Sequence, residues 1–332
     1  MTIKARFDRF TTQIRPTDGH IEEADRQTDY MIAQLKNKVS TDGSFTLEKV
    51  LGAGSNAKHT SLRRTDDNRF DVDLGAYYDG AGATKERLDT LLDFTRGRLI
   101  DIYPTKDKDD FTVLKSAVRV RFRTGIELWV DVTPIVRDDT LDVPNGGWIP
   151  RDDGWRLTSV TCHNQFISSR SARSKRIAGP VAFNRLVRLF KWWNNRQGDL
   201  AQPSYLCDLL TAAAFDGRDV TDEWQTSLRH LFTFLRKHQF REPIVFSDYY
   251  DPAVVPLLGD AVVVLDAVNR DNNVARAWTE GTRRAYLDRV QDAYDAMVYA
   301  LSLEMDGDED GAIDAWCEVF GDAFRTLSEP EE

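Results

Sequence analysis

The spacing of apolar residues changes near residue 155, and this change limits the folds that the chain can form. Apolar and polar residues alternate in 70–74, 117–123 and 126–132, which is the spacing of half-buried β-strands. Beyond the change, apolar residues lie three and four positions apart, as in amphipathic helices. The segments with this helical spacing are 181–196, 204–215, 223–239 and 275–303. The pattern predicts a mixed α/β first half followed by a helical second half.

Turn and capping residues add detail to the first half. Thr124–Gly125 offers a turn between the last two strand segments, which predicts an antiparallel hairpin, and Pro134 is expected to end it. The block 1–40 predicts a helix that Asp18 can cap. Its apolar stripe consists of Ile21, Ala24, Met31, Leu35 and Val39. We therefore expect a sheet preceded by a long N-terminal helix.

Composition limits the environment and the partners of the protein. The 332 residues are 41% apolar and 30% charged, and no apolar run approaches the length of a membrane span. Three cysteines without CxxC spacing and five histidines without a ligand cluster argue against structural zinc and favour a reducing cytoplasm. The net charge of −10 is opposite in sign to the basic surface that grips long nucleic acid. We therefore expect a cytoplasmic protein without a membrane or a long nucleic acid as partner.

Three aspartates interrupt the apolar pattern of the strand segments. Asp71 and Asp73 are two positions apart, so a strand places both carboxylates on one face and the flanking apolar residues on the other. Asp131 interrupts a second apolar run in the same way. Carboxylates on one face repel one another unless a cation neutralises them, and oxygen-rich sites suit Mg²⁺ or Mn²⁺. Taken alone, the Asp71–Asp73 pair is more typical of the solvated face of an ordinary strand than of a metal site.

A glycine–serine turn precedes the first acidic strand. Gly54 and Ser55 lie in a loop that enters a helix, where backbone N–H groups and a hydroxyl can bind a triphosphate. Such a loop is weak evidence by itself. Followed by Asp71 and Asp73 and then by Asp131, it favours a nucleotide and metal site over a solvated strand.

This order of motifs resembles the polymerase-β-type nucleotidyltransferase superfamily. The resemblance rests on the Gly54–Ser55 turn with Thr60 shortly after it, on 71–74 (DVDL) and on 131–134 (DVTP). It implies that the triphosphate is bound by Gly54, Ser55 and Thr60. It also implies that three aspartates are both the catalytic residues and the ligands of two Mg²⁺ (or Mn²⁺) ions, namely Asp71, Asp73 and Asp131.

The helical half narrows the resemblance to one family. Lys191 lies beside two tryptophans, and 203–206 (PSYL) follows. From composition alone we expect Lys191 to be a solvated helix lysine and the tryptophans to be core residues. The pattern also resembles the helical domain of oligoadenylate synthases and of cGAS/DncV-like nucleotidyltransferases (CD-NTases). That resemblance implies that Lys191 and Ser204 bind the terminal phosphates of the donor nucleotide, and that Tyr205 stacks on its base.

Two later segments extend the resemblance to nearly the whole chain. The stretch 266–275 (DAVNRDNNVA) resembles an asparagine-rich family segment but lacks its prolines. We favour a simpler interpretation, in which Asn272 or Asn273 caps a helix that begins near Val274. The stretch 315–324 (AWCEVFGDAF) resembles the closing helix of bacterial members, which packs against the core.

Two arginine-rich segments are given simpler interpretations. Arg119, Arg121 and Arg123 alternate on one strand face, which favours a solvated or salt-bridged surface. The segment 168–176 (SSRSARSKR) is expected to be a surface loop, with ordering over a nucleotide as the alternative.

The resemblance implies an α+β protein with a polymerase-β-like core of mixed sheet and helices, a C-terminal helical domain packed on it, and a long N-terminal helix. We expect the N-terminal helix and catalytic core in 1–155, the oligoadenylate-synthase-like helical domain in 156–326 and an acidic tail in 327–332.

The implied function is a bacterial synthase that makes a cyclic di- or trinucleotide second messenger from nucleoside triphosphates. The messenger would act on an effector protein encoded nearby, in antiphage (CBASS) signalling. Three alternatives stay open: a linear oligonucleotide synthase, a nucleotidyltransferase that modifies protein or RNA, and an inactive nucleotide-binding scaffold.

Overall fold

The computed structural model describes residues 1–63, 65, 70–79, 83–123, 127–151 and 154–329. The chain forms two compact units. The sheet unit is Pro16–Gln165, and the helical unit consists of Met1–Arg15 and Phe166–Glu332. The turn expected at Thr124–Gly125 and the last residues of the expected acidic tail, 330–332, lie outside the described residues.

The helices within the described ranges are named in chain order. They are α1 Ile3–Gln13, α2 Asp18–Asp42, α3 Gly54–Ala57, α4 Leu88–Ile102, α5 Val160–Ala178, α6 Phe183–Asn195, α7 Ser204–Ala214, α8 Trp224–His238, α9 Glu280–Asp306, α10 Glu309–Phe320 and α11 Ala323–Ser328. The boundary between the two units falls inside α5.

The strands of the sheet unit, counted over the described residues, form one seven-stranded mixed sheet. They are β1 Thr46–Ala53, β2 Phe70–Asp79, β3 Phe111–Val113, β4 Val118–Phe122, β5 Leu128–Arg137, β6 Gly147–Arg151 and β7 Gly154–Thr158. Their order is β1-β2-β5-β4-β3, and β6 pairs with β5 and β7. β2 and β5 run parallel, whereas β4 and β5 are antiparallel, which confirms the expected hairpin strands.

The alternation of residues separates two faces of this sheet. On β2, β4 and β5 the even-numbered apolar residues belong to a buried core with residues of α2 and α4. The residues of these three strands in that core are Phe70, Val72, Leu74, Ala76, Tyr78, Val118, Val120, Phe122, Leu128, Val130, Val132 and Val136. The odd-numbered residues of β2 and β5 project from the opposite face, because successive side chains in a strand alternate. The period-2 pattern of the sequence is therefore confirmed, and it leaves the aspartates on the non-core face.

Of two sequence expectations for the sheet unit, one is confirmed and one is wrong. The hairpin pairing ends before Pro134, as expected, although β5 itself continues to Arg137. Its pairing with β4 ends at Val132 and its pairing with β6 starts at Val136, so the proline lies between these ladders and removes a hydrogen bond from neither. Asp18 does not cap α2, because the Thr17 side chain accepts the hydrogen bond from the His20 N–H.

The expected N-terminal helix is two helices, and the first belongs to the helical unit. On α1, Phe7 is completely buried, with its ring centroid 4.9 Å from those of Trp316 and Phe324. Phe10 contacts Phe324 at 5.3 Å. This aromatic cluster explains why residues 1–15 group with the C-terminal helices rather than with the sheet, unlike the division expected from the sequence. The closing segment 315–324 does pack inward, as the sequence predicted, because its Trp316 and Phe324 form part of this aromatic cluster of the helical unit.

The segment 168–176 is not a loop. It lies inside α5, where Arg170 donates two hydrogen bonds to Asp248 at 2.9 Å and Arg173 pairs with Asp219. Ser174 is buried and accepts a hydrogen bond from the Phe183 N–H.

The capping role expected of Asn272 or Asn273 is also wrong. The long helix α9 begins at Glu280, and the Thr279 side chain caps it by accepting from the Thr282 N–H. Asn273 instead accepts hydrogen bonds from the Val264 and Ala275 N–H groups, which closes a loop ahead of the helix.

None of the described helices is both long and apolar enough to cross a lipid bilayer.

Candidate active site

Four strands place Ala53, Asp73, Asp131 and Arg119 in one row across the sheet. Asp73 lies opposite Ala53 of β1 and opposite Asp131 of β5. Asp131 in turn lies opposite Arg119 of β4. Directly opposed residues project from the same face, and Asp71 joins them because it is two residues before Asp73. The structure therefore brings the three predicted aspartates onto one face.

The carboxylate of Asp73 is strongly perturbed by its surroundings. Burial raises its pKa from 3.8 to about 7, with further contributions from the charges of Asp71 and Asp131. The cations of Lys58 and Arg119 oppose this rise. A face that concentrates negative charge in this way is stabilised when a cation neutralises it.

The Gly54–Ser55 turn lies directly beside Asp73. It opens the one-turn helix α3, and Gly54 has a left-handed φ of 66°. A Cβ atom at this position would lie 2.7 Å from the Asp73 Cγ, so only glycine fits both the conformation and the space. Thr60 is completely buried, and its N–H donates to the Ser55 carbonyl at 2.9 Å. Thr60 thus shapes the turn, and its predicted contact with nucleotide stays a prediction.

We expect Gly54→Ala to reduce product formation by at least ~100-fold, since displacement of catalytic groups by about 1 Å costs that much. The new Cβ would push the Asp73 carboxylate out of place. Gly43→Ala is the matched control, because Gly43 also has a left-handed φ of 73°, but a Cβ there would meet no described residue beyond its chain neighbours within 4 Å. Steady-state rates and melting curves of both variants would separate the two effects. Equal losses of activity in the two variants would contradict this role of Gly54.

Asp131 is held by Arg119, whose Nε and Nη2 donate to Oδ1 and Oδ2, both at 2.7 Å. In this arrangement, no set of three or more His, Cys, Asp or Glu side chains within the described ranges is placed to hold a metal ion. The chemistry of the donors nevertheless suits a divalent cation, since three carboxylates share a face and one has a raised pKa. Asp71, Asp73 and Asp131 are therefore the residues that would hold such an ion.

Metal binding at this face should depend on pH. Below its folded-state pKa of about 7, Asp73 carries a proton that a metal ion must displace. We expect the apparent affinity for Mn²⁺ to fall by up to ~10-fold per pH unit below about pH 7 and to level off above it. Calorimetry in buffers of different ionisation enthalpy would measure both the affinity and the released proton. An affinity that is constant from about pH 5.5 to about pH 8 would contradict the assignment.

In the helical unit, Lys191 forms a buried ion pair. Its Nζ lies 2.6 Å from the Asp208 Oδ1, and the two side chains are 4% and 1% exposed. The description of Lys191 as a solvated lysine is therefore wrong, because its partner lies on α7 rather than in solvent. The neighbouring Trp193 is buried, as expected of a core residue.

Ser204 and Tyr205 open α7, with Ser204 exposed and Tyr205 half-buried. The Tyr205 hydroxyl accepts a hydrogen bond from the Ala267 N–H at 3.3 Å and also bonds to Asp266. Asp266 accepts further bonds from the Val268 N–H and from Asn272. The asparagine-rich loop is thus tied to Tyr205, and both lie in the helical unit.

Sequence reasoning missed the contributions of Arg119, Lys58 and Asp208 to these sites. Arg119 was expected to be salt-bridged, which is confirmed, but its partner depends on strand register. Lys58 follows the Gly54–Ser55 turn closely, and this proximity was the available signal. Asp208 lies one helical turn after Ser204, a spacing that places both on one face of α7.

Comparison with known proteins identifies the family. Residues 1–170 match the model of the Second Messenger Oligonucleotide or Dinucleotide Synthetase (SMODS) domain. The chain belongs to this family. A curated relative named cyclic AMP-AMP-AMP synthase, from Escherichia coli strain MS 115-1, is 31% identical over 300 residues and covers 88% of each chain.

Solved structures agree with this membership. The structure of E. coli MS115-1 CdnC with ATP matches with a TM-score of 0.78 and 28% identity, over 96% of this chain and 98% of that one. The same protein has also been solved in complex with HORMA-deltaN. Vibrio cholerae DncV, a cyclic AMP-GMP synthase, matches with a TM-score of 0.67 over 95% of this chain and 94% of that one, and at 13% identity it supports the fold alone.

These comparisons confirm several of the sequence predictions. The CD-NTase family and the nucleotidyltransferase fold with its mixed sheet and helices are confirmed. The enzyme is a nucleotidyltransferase, and its predicted function of second-messenger oligonucleotide synthesis is confirmed at the level of the family.

Proposed function

We propose that this enzyme joins ATP molecules into a cyclic trinucleotide second messenger. The observation that carries the proposal is the row from the Gly54–Ser55 turn through Asp73 to Asp131, because it places a glycine–serine turn directly beside carboxylates on one face. The choice of ATP and of a three-membered ring is supported by the relative named cyclic AMP-AMP-AMP synthase and by the CdnC structure with ATP.

The residues of the sheet unit would divide the chemistry among them. A divalent cation, when bound, neutralises the triphosphate and acidifies the attacking hydroxyl. Asp71 and Asp73 would hold the cations, of which the family resemblance implies two. Asp131 would help to hold the cation on the side of the attacking hydroxyl. The raised pKa of Asp73 keeps this carboxyl partly protonated near neutral pH until a cation binds. The backbone of Gly54 and the hydroxyl of Ser55 would orient the triphosphate for in-line attack.

The donor-binding roles of Lys191, Ser204 and Tyr205 are part of the proposal. Support comes from their placement at one end of the α6–α7 pair, where Lys191 meets Asp208 and Tyr205 meets the 266–273 loop. An exposed Ser204 hydroxyl is free of steric cover and suits a phosphate contact. We propose further that the product serves antiphage signalling and that a protein partner binds this enzyme, as HORMA-deltaN binds CdnC.

Product analysis tests the proposal directly. The protein is incubated with each nucleoside triphosphate and with all four together, in Mg²⁺ or Mn²⁺, and the products are treated with phosphatase and separated by chromatography. ATP alone is expected to give a phosphatase-resistant product with the mass of three cyclised AMP units. A phosphatase-sensitive product would indicate a linear synthase, label on protein or RNA would indicate a modifying enzyme, and no product would indicate a scaffold.

A further inference from the structure

Arg119 occupies both oxygens of one of the three site carboxylates. Its guanidinium forms a two-bond fork with Asp131, and the side chains are only 25% and 10% exposed. Arg119 lies on β4, whereas Asp71 and Asp73 lie on β2, on the other side of β5. The fork therefore directs the Asp131 carboxylate towards the strand that carries no aspartate of the site.

Trp129 fixes the guanidinium in this position. The Arg119 Cζ lies 4.1 Å from the centroid of the Trp129 ring, a cation–π contact. Trp129 is two residues before Asp131, so both side chains project from the same face and support the same arginine. A guanidinium with a carboxylate at its fork and an aromatic ring on its face is rigidly oriented.

Electrostatics make Arg119 more than a partner of Asp131. The charges of Asp71 and Asp73 also stabilise its protonated form, after the larger contribution of Asp131. Arg119 thus interacts with all three carboxylates of the face. In an enzyme without metal it lowers the mutual repulsion that a divalent ion would otherwise relieve.

We propose that Arg119 is the resident counter-ion of the carboxylate face, and that a divalent cation must displace it from Asp131 before three carboxylates can share the metal. The inference rests on the proposed function in one respect, because it takes Asp131 as a metal ligand. It explains why three aspartates on one face are not arranged as a metal-binding group while the arginine is paired. It also makes binding of the metal an exchange of cations rather than the filling of a preformed site.

The test measures Mn²⁺ affinity of the full chain by calorimetry in the absence of nucleotide. Arg119→Met keeps an apolar stem against Trp129 but removes the charge and the fork, and it is expected to tighten Mn²⁺ binding on the order of 10-fold. Arg121→Met is the matched control, since Arg121 lies on the same face of β4 but pairs with Glu127, and it should leave the affinity unchanged. An unchanged or weaker affinity in Arg119→Met would overturn the proposal.

Two further variants keep the result decisive. Arg119→Lys retains the charge without the fork and should bind Mn²⁺ with an affinity between those of wild type and Arg119→Met. If Arg119→Met does not fold, Arg119→Lys takes its place in the test. Tighter Mn²⁺ binding than wild type then supports the proposal, and equal or weaker binding rejects it. Adding Asp131→Asn to Arg119→Met should remove the gain, and a retained gain would exclude Asp131 as the contested ligand.

The same measurements separate this inference from the proposed function. If wild type makes no nucleotide product while Arg119→Met binds Mn²⁺ more tightly, the proposed function fails and the role of Arg119 stands. If wild type makes the cyclic product and Arg119→Met binds Mn²⁺ no more tightly than wild type, the proposed function stands and the role of Arg119 fails.

Discussion

Replacing Asp71 and Asp73 together by asparagine is expected to abolish product formation and, at the same time, to raise the melting temperature of the metal-free protein near pH 8. Asparagine keeps the shape of each side chain but removes the charge that would hold the metal, so phosphoryl transfer loses its main electrostatic support. The fold is expected to survive because both residues lie on the face of β2 opposite the apolar core.

The gain in stability follows from the raised pKa of Asp73. Its folded-state pKa is about 7 against 3.8 for the ordinary group, so between these values the folded chain holds a proton that the unfolded chain has lost. The free energy of unfolding therefore falls as pH rises through this window, by up to ~1.4 kcal/mol per pH unit, and the loss is complete above about pH 7. Over the window of about three pH units the loss adds up to about 4 kcal/mol. The variant has no such loss. It should therefore melt roughly 10 °C higher than wild type near pH 8, since ~1 kcal/mol corresponds to about 2–4 °C in a unit of this size, and close to wild type near pH 4.

Melting curves in chelator at both pH values, together with chromatography of the products, would check this prediction. Asp25→Asn with Asp29→Asn is the matched control, because it removes the same charge from the exposed face of α2 and should retain activity. Product from the Asp71 and Asp73 variant would reject the assignment of the site. A stability gain of the same size near pH 4 and near pH 8 would show that ionisation of Asp73 is not its cause.

The strands could be predicted from the sequence because their signal is local. Alternation in 70–74 alone places Asp71 and Asp73 opposite Val72 and Leu74, whatever the strand pairs with. The row that makes a site of these residues is not local. Asp73 meets Asp131 through a parallel ladder between segments distant in the chain, and no short-range pattern encodes that register.

The errors have the same origin in tertiary packing. The polar composition of 168–176 favoured a loop, yet Phe166, Arg170, Ser174 and Ala178 recur every four residues, and these positions lie on the covered side of α5. A helix can carry many charged residues when one narrow stripe is buried. The pairing of Arg119 with Asp131 was likewise beyond local reasoning, although the salt-bridged character of Arg119 was not.

Replacing Lys191 by methionine is expected to destabilise the helical unit by about 3–5 kcal/mol. The substitution keeps most of the apolar stem but removes the cation from Asp208, whose side chain is 1% exposed. A carboxylate that loses its partner in such a place either stays charged at a high cost or takes up a proton. Denaturant unfolding would measure the loss. Lys237→Met, on the exposed surface of α8, is the control and should change stability by no more than ~0.5 kcal/mol.

The double variant Lys191→Met with Asp208→Leu separates the structural role of the pair from its predicted role with nucleotide. Replacing both members of a buried pair by apolar residues is often neutral, so most of the lost stability should return. If Lys191 also binds the terminal phosphates, as the resemblance implies, the restored fold should still bind a non-hydrolysable ATP analogue at least ~10-fold more weakly than wild type, because a charge-assisted contact is missing. Wild-type affinity in the refolded double variant would reduce Lys191 to a core residue and leave phosphate binding to the Gly54–Ser55 turn and Ser204.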